Sequence, residues 1–143
     1  MDKYDCLRLE NQICFPLYVA SKEVIRKYKP LLDELDLTYT QYIAMMVIWE
    51  EKKIHVTALG KKLYLDTGTI SPLIRKLKEK GYITISRDIH DERVQIIEVT
   101  KEGMGLRERA LSVPMSMAKN KCIDLTIDEA ITLKKILEQI IEG

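Results

Sequence analysis

TALGKKLYLDTGTISPLIRKLKEKGYITISRDIHDERVQIIEVT, residues 57–100, decides the fold. Thr57 can cap a short helix from Ala58 to Leu63, and Asp66 or Thr67 a longer one from Gly68 to Lys80 that Gly81 stops. Ile70, Leu73, Ile74 and Leu77 recur at helical spacing, while Thr69, Ser71, Arg75, Lys76 and Lys78 lie off that stripe. Residues 82–87 and 94–99 then alternate as strands do, around a polar loop at 88–93. Helix, turn, helix and charged hairpin is the order of a winged helix-turn-helix, whose second helix enters the DNA major groove. Thr67, Thr69 and Ser71 at its leading end are small enough to approach bases or phosphates. Arg75 and Lys76 add the salt-dependent attraction to phosphate. The hairpin carries Arg87 and Arg93, and Arg93 at its tip suits an adjacent minor groove.

Charge agrees with this reading. The net charge of the 143 residues is +1, yet residues 52–101 hold 11 basic and 6 acidic side chains, a net +5. Residues 1–51 (6 basic, 9 acidic) and 102–143 (6 basic, 7 acidic) are net acidic. A basic middle docks on phosphate while the acidic ends serve another purpose.

The flanks read as helices, so the fold class is mainly α with a small β-hairpin wing. A helix is expected over 7–29, with a kink or a loosened first turn at Pro16 and its end at Pro30, then a helical turn at Leu31–Leu35. Thr38 or Tyr39 opens a helix that ends over Glu50–Lys53. Beyond the hairpin, one helix is expected from about Lys101 to Lys121, disturbed at Pro114, and a last one over Ile127–Ile141. Thr126 and Glu129 form a capping box for the last.

Composition excludes other classes. Hydrophobic residues are 46% and charged residues 31%, as in a soluble domain, and Pro (4) and Gly (6) are too scarce for disorder. No apolar run suggests a membrane span, and the polar start Met1–Asp5 lacks the layout of a signal peptide. Cys6, Cys14 and Cys122 are an odd, sparse set with no CxxC pair, and there are two His, which speaks against a disulfide scaffold or a zinc site. The expectation is a cytoplasmic chain with no cofactor, no metal and no membrane partner.

DIHDERVQIIEVTKEG, residues 88–103, resembles the wing of MarR-type regulators, in which an Asp and an Arg brace the hairpin ahead of a Thr-x-x-Gly helix start. Here these are Asp91, Arg93, Thr100 and Gly103. The resemblance implies a MarR-like homodimer on double-stranded operator DNA. Residues 1–36 and 101–143 would form the helical dimerisation region and 37–100 the DNA-binding region, integrated in one domain.

LENQICFPLY (9–18), KYKPLLDELDLTYTQY (27–42) and LYLDTGTISPLIRKL (63–77) are further similar to the organic-hydroperoxide-sensing, OhrR-like branch. By that resemblance Cys14 is a buried, peroxidatic cysteine, Tyr28 and Tyr39 contact its sulfur across the dimer, and Tyr18 is a further aromatic near it. The chemistry is coherent, because a thiolate attacks peroxide and phenol hydroxyls hydrogen-bonded to sulfur favour the thiolate. Cys122, just before the last helix cap, resembles the resolving cysteine of the two-cysteine type and implies an intersubunit Cys14–Cys122 disulfide. The first three blocks look nearer the one-cysteine type, which uses an external thiol. Cys6 has no periodic placement and reads as incidental.

The expected function is a repressor that releases its operator when organic hydroperoxide oxidises Cys14. The alternatives are release by a small phenolic ligand or by general thiol stress. An enzyme that reduces peroxide through Cys14 and Cys122 is disfavoured, since the chain has no βαβ pattern and a wing would serve it no purpose.

Overall fold

The computed structural model describes residues 2–143; Met1, the first residue of the polar start, lies outside them. Two 3₁₀ turns, Asp5–Leu7 and Leu9–Asn11, precede α1, Cys14–Asp33. Then follow α2 (Tyr39–Glu51), β1 (Lys53–His55), α3 (Val56–Leu63), α4 (Thr67–Glu79), β2 (Ile83–Arg87) and β3 (Gln95–Val99), with α5 (Lys101–Ala110), α6 (Ser112–Lys119) and α7 (Ile127–Glu142) closing the chain. This is a winged helix-turn-helix, mostly helical as read.

Several boundaries differ from the sequence reading, each for a local reason. The first helix starts at Cys14, not Leu7. Pro16 is therefore its third residue, where no backbone N–H is required, so it begins the helix instead of kinking it. Pro30 does not end that helix, which runs on through the turn expected at Leu31–Leu35 as far as Asp33. Val56, not Ala58, opens α3, and His55 stands at its cap without a side-chain bond, so Thr57 caps nothing. The long helix expected after the hairpin is two, divided at Leu111, with Pro114 in the first turn of the second.

The hairpin is part of a three-stranded antiparallel sheet in the order β1-β3-β2. Ile97 pairs with Ile54 on one side and Ile85 on the other and is fully buried. The sequence reading missed β1, because three residues are too few to show a period.

One core joins the elements. Ala44, Met45 and Ile48 of α2 meet Leu59 of α3, Leu77 of α4 and Leu106 of α5, all essentially without exposure. The Trp49 indole N–H donates to the Gly103 carbonyl at 2.8 Å. Thr100 caps α5 by accepting from Gly103 N–H (3.0 Å) and donates its own hydroxyl to the Gly81 carbonyl (2.6 Å). A Cβ at position 103 would overlap the Tyr82 carbonyl and lie 2.8 Å from Val99 Cγ2. Close approach of α5 to the hairpin thus requires this glycine.

Candidate functional site

The reading helix is set by its own sequence. Asp66 caps α4, its carboxylate accepting from Thr69 N–H at 2.9 Å. Ile70, Leu73, Ile74 and Leu77 are buried, which turns Thr67, Thr69, Ser71, Arg75 and Lys76 to solvent. Neither Arg75 nor Lys76 has an ion pair among the described residues. A cleft of about 670 Å³ separates the start of α4 from the loop end of the wing, and Thr67, Ser71 and Arg93 all line it. Thr69 and Lys76 face a second hollow, beside Thr40 and Pro72. His55, Lys61, Tyr64 and Gln95 share the main cleft. None of these four came from the sequence reading, although Lys61 and Tyr64 sit in the helix and turn ahead of α4, where phosphate contacts are common.

Asp91 and Arg93 of the wing loop pair with each other. The Arg93 guanidinium donates to both carboxylate oxygens of Asp91, at 3.1 and 3.2 Å, and Arg93 N–H adds a third bond at 3.0 Å. The guanidinium bonds, then the backbone bond, hold the Asp91 carboxyl below the usual carboxylate range. Arg93 remains 91% exposed, so its position is fixed while it still faces outward. Arg87 spends one donor on the Glu92 carbonyl at 3.1 Å, across the loop.

The cysteines and tyrosines form two groups. Tyr28 of α1 packs against Tyr39 and Tyr42 of α2, with ring centroids 5.2 and 5.9 Å away. Burial, then Tyr39, then Cys122 push the Tyr28 phenol above its ordinary value. Cys122 is half-buried beside this cluster in the α6–α7 connection, where its carbonyl accepts from Lys27 Nζ at 2.7 Å. Cys14 is elsewhere. It is the first residue of α1 and is exposed in the single chain, not buried as expected. At 1.5 Å per residue it lies about 21 Å along α1 from Tyr28. Tyr18, one turn beyond Cys14, is 60% exposed, with Lys22 Nζ 5.0 Å from its ring centre. Within one chain, then, Tyr28, Tyr39 and Tyr42 pack together and Cys122 is bonded to Lys27, the neighbour of Tyr28, while Cys14 with Tyr18 does not join them.

Two residues of this region escaped the sequence reading. Tyr42 follows Tyr39 at helical spacing, a signal that was available. Lys27 meets Cys122 across 95 positions, and nothing local announces that contact.

The chain ends leave apolar surface uncovered. No residue of α7 is buried, and Ile131, Ile136 and Ile140 are 62%, 46% and 57% exposed. Phe15, Leu17, Val19 and Ile25 of α1 are exposed as well. Among the described residues no helix is long and apolar enough to cross a membrane, and no group of His, Cys, Asp and Glu is placed to hold a metal ion.

A basic reading helix beside a braced hairpin defines the class, a winged helix-turn-helix DNA-binding regulator. The family described as "Transcriptional regulator SarA/Rot" matches residues 26–109. The organic hydroperoxide resistance transcriptional regulator of Bacillus subtilis is 43% identical over 113 residues, 79% of this chain and 77% of that protein. The regulator SarZ of Staphylococcus saprophyticus is 42% identical over 133 residues, 93% of this chain and 90% of that one. The solved structure of reduced AbfR bound to DNA superimposes with a TM-score of 0.82 at 28% identity, covering 99% of this chain and 97% of that chain. This chain belongs to the SarA/Rot family of transcriptional regulators and is a MarR-type winged-helix regulator of the OhrR type.

Proposed function

We propose that the protein is a cytoplasmic, homodimeric repressor that binds double-stranded operator DNA and releases it when an organic hydroperoxide oxidises Cys14. One observation carries the reading. Tyr28 and Tyr39 pack together on the side of α1 where Lys27 bonds the Cys122 carbonyl, far from Cys14 of their own chain, and the apolar faces of α1 and α7 are bare. A two-fold axis that sets the start of one α1 beside the middle of its partner's covers those faces and brings Cys14 to the partner's tyrosines. Residues 1–36 and 101–143 then serve as the dimerisation region, and 37–100 as the DNA-binding region.

The chemistry runs in two steps. The Cys14 thiolate attacks the peroxide oxygen, giving Cys14 sulfenic acid and an alcohol. Cys122 of the other subunit then attacks that sulfur, forming the disulfide and releasing water. The disulfide requires Cα atoms within about 7 Å, so helices at the interface must adjust to it. Thr67, Thr69, Ser71, Arg75 and Lys76 on the reading helix, with Arg87 and Arg93 on the wing, contact DNA. A hundredfold loss of affinity on oxidation corresponds to about 2.7 kcal/mol. The names of the Bacillus and Staphylococcus relatives support a regulator over a peroxide-consuming catalyst.

The test uses a DNA duplex selected from a random library by the reduced protein. Cys14→Ser is expected to bind this duplex and to ignore cumene hydroperoxide; a response like that of the wild type overturns the reading. Oxidised wild type is expected to run as a covalent dimer on a non-reducing gel, and Cys122→Ser as a monomer. A monomeric band from oxidised wild type assigns the resolving step to an external thiol.

A further inference from the structure

Lys80 is the last-turn cap of the reading helix and reaches out of that helix entirely. Its ammonium donates to the Asp36 carbonyl and to Gln41 Oε1 (3.2 Å), and stands 3.6 Å from Asp36 Oδ2. Its side chain is 27% exposed, against 92% for Asp36. Gln41 is the one buried polar side chain among the described residues, 4% exposed. Its Oε1 also accepts from Thr38 N–H at 3.0 Å, and Thr38 Oγ1 accepts from Gln41 N–H at 3.2 Å. Lys80 thereby grips the capping box that opens α2.

That grip falls at a particular place. Gln41 lies between Tyr39 and Tyr42 in the first turn of α2, and both rings pack on Tyr28. Asp36 is the left-handed residue, φ 53°, of the turn between α1 and α2. The same ammonium is therefore tied to the turn and to the helix start that carry the tyrosine cluster. Charge-assisted bonds hold donor and acceptor in a fixed relation. A shift of the tyrosine turn must carry the trailing end of α4 with it.

We propose that Lys80 is a positioning residue that transmits the arrangement of the tyrosine cluster to the reading helix. α4 is about 20 Å long at 1.5 Å per residue, and a tilt of about 5° about its Lys80 end displaces Thr67 by about 1.7 Å. Hydrogen bonds from Thr67 or Thr69 to DNA do not survive such a displacement. What moves the tyrosine turn rests on the thiol reading above, whereas the link itself does not.

The test is a double-mutant cycle on affinity for the selected duplex, with fully reduced protein and no peroxide. Tyr39→Ala and Lys80→Met are each expected to weaken binding about fivefold, and the double variant to be no weaker than the weaker single, because the two act in series. Lys80→Arg, which keeps the charged donors, is expected to bind within about twofold of wild type. Losses that multiply to about 25-fold in the double variant overturn the link. Single variants that bind like wild type overturn it too, and if only their melting temperatures fall, Lys80 is a strut and nothing more. Should Lys80→Met melt below the assay temperature, Lys80→Gln completes the same cycle. Peroxide treatment is a separate arm. Wild type whose affinity ignores hydroperoxide refutes the thiol reading and leaves the cycle to decide the link.

Discussion

The α4 helix buries Ile70, Leu73, Ile74 and Leu77, whereas α7, three residues longer and with Ile131, Ile136 and Ile140 on its surface, buries none. Both helices are amphipathic. The first finds its apolar partners within its own chain, in Leu59, Ile48 and Ile97. The second has no fully buried residue, although its Thr126–Glu129 capping box is complete, with bonds of 2.9 and 3.1 Å. The reading helix thus covers its apolar stripe within the chain, and the last helix leaves its own bare. A chain that left this much aliphatic surface in water would be prone to association in any case, and a symmetric dimer is the closed form of that association.

The sharpest way to break this contrast is Ile136→Glu. A charge on the bare face of α7 is expected to leave the helical signal of the chain intact, to convert the dimer to monomer in sedimentation, and to weaken operator binding by at least about a hundredfold as two linked reading heads become one. A dimer of unchanged stability would place the interface elsewhere. The seam where α5 meets the hairpin is tested by two glycines of that helix. Gly103→Ala puts a methyl against the Tyr82 carbonyl and is expected to cost about 2 kcal/mol in thermal unfolding. Gly105→Ala, two residues on, meets nothing within 4 Å and is expected to be neutral or to stabilise by up to about 1 kcal/mol. Equal losses would mean that α5 does not sit on the hairpin as described. The smallest effect belongs to the wing. Arg93→Ala is expected to weaken operator binding about tenfold with little change in melting temperature. The brace itself is acid-labile. The folded Asp91 carboxyl lies below its unfolded value, so the brace is whole above the ordinary aspartate range and is lost as pH falls through the depressed folded value. Nitrogen-15 chemical shifts of the Arg93 guanidinium should follow that loss and stay flat from about pH 5 to 8.

The sequence was most legible where local rules act alone. The Asp66 cap, the Ile70–Leu77 stripe and the alternation of Ile83–Arg87 and Gln95–Val99 each have a short-range cause, and the helix-turn-helix and wing followed from them. It was least legible where two rules competed. Leu7 extends the apolar spacing of α1, but a helix through it would bury Pro16 where an N–H is needed, so the helix begins at Cys14. Pro30 biases its predecessor away from helix, yet Leu32 is 2% exposed in the core, and that burial outweighs the bias. Of the site, the resemblance set Tyr28 and Tyr39 around Cys14 and paired Cys14 with Cys122; the single chain packs Tyr28 on Tyr39 away from Cys14 and adds Tyr42, Lys27 and Lys80. Lys80 is 39 positions from Gln41, beyond the reach of any periodic signal. Cys14 was expected to be buried and is exposed in the single chain, at the first residue of α1.

The Thr100 hydroxyl bonds Gly81, where the reading helix lets go of the chain, while it also caps the helix that follows the hairpin. Exit of the reader, return of the wing and start of the next helix are riveted at a single oxygen atom. Helix and wing must accordingly travel as one stiff hand. Operators for this protein will be distinguished by the distance between two such hands more than by how far any finger can flex.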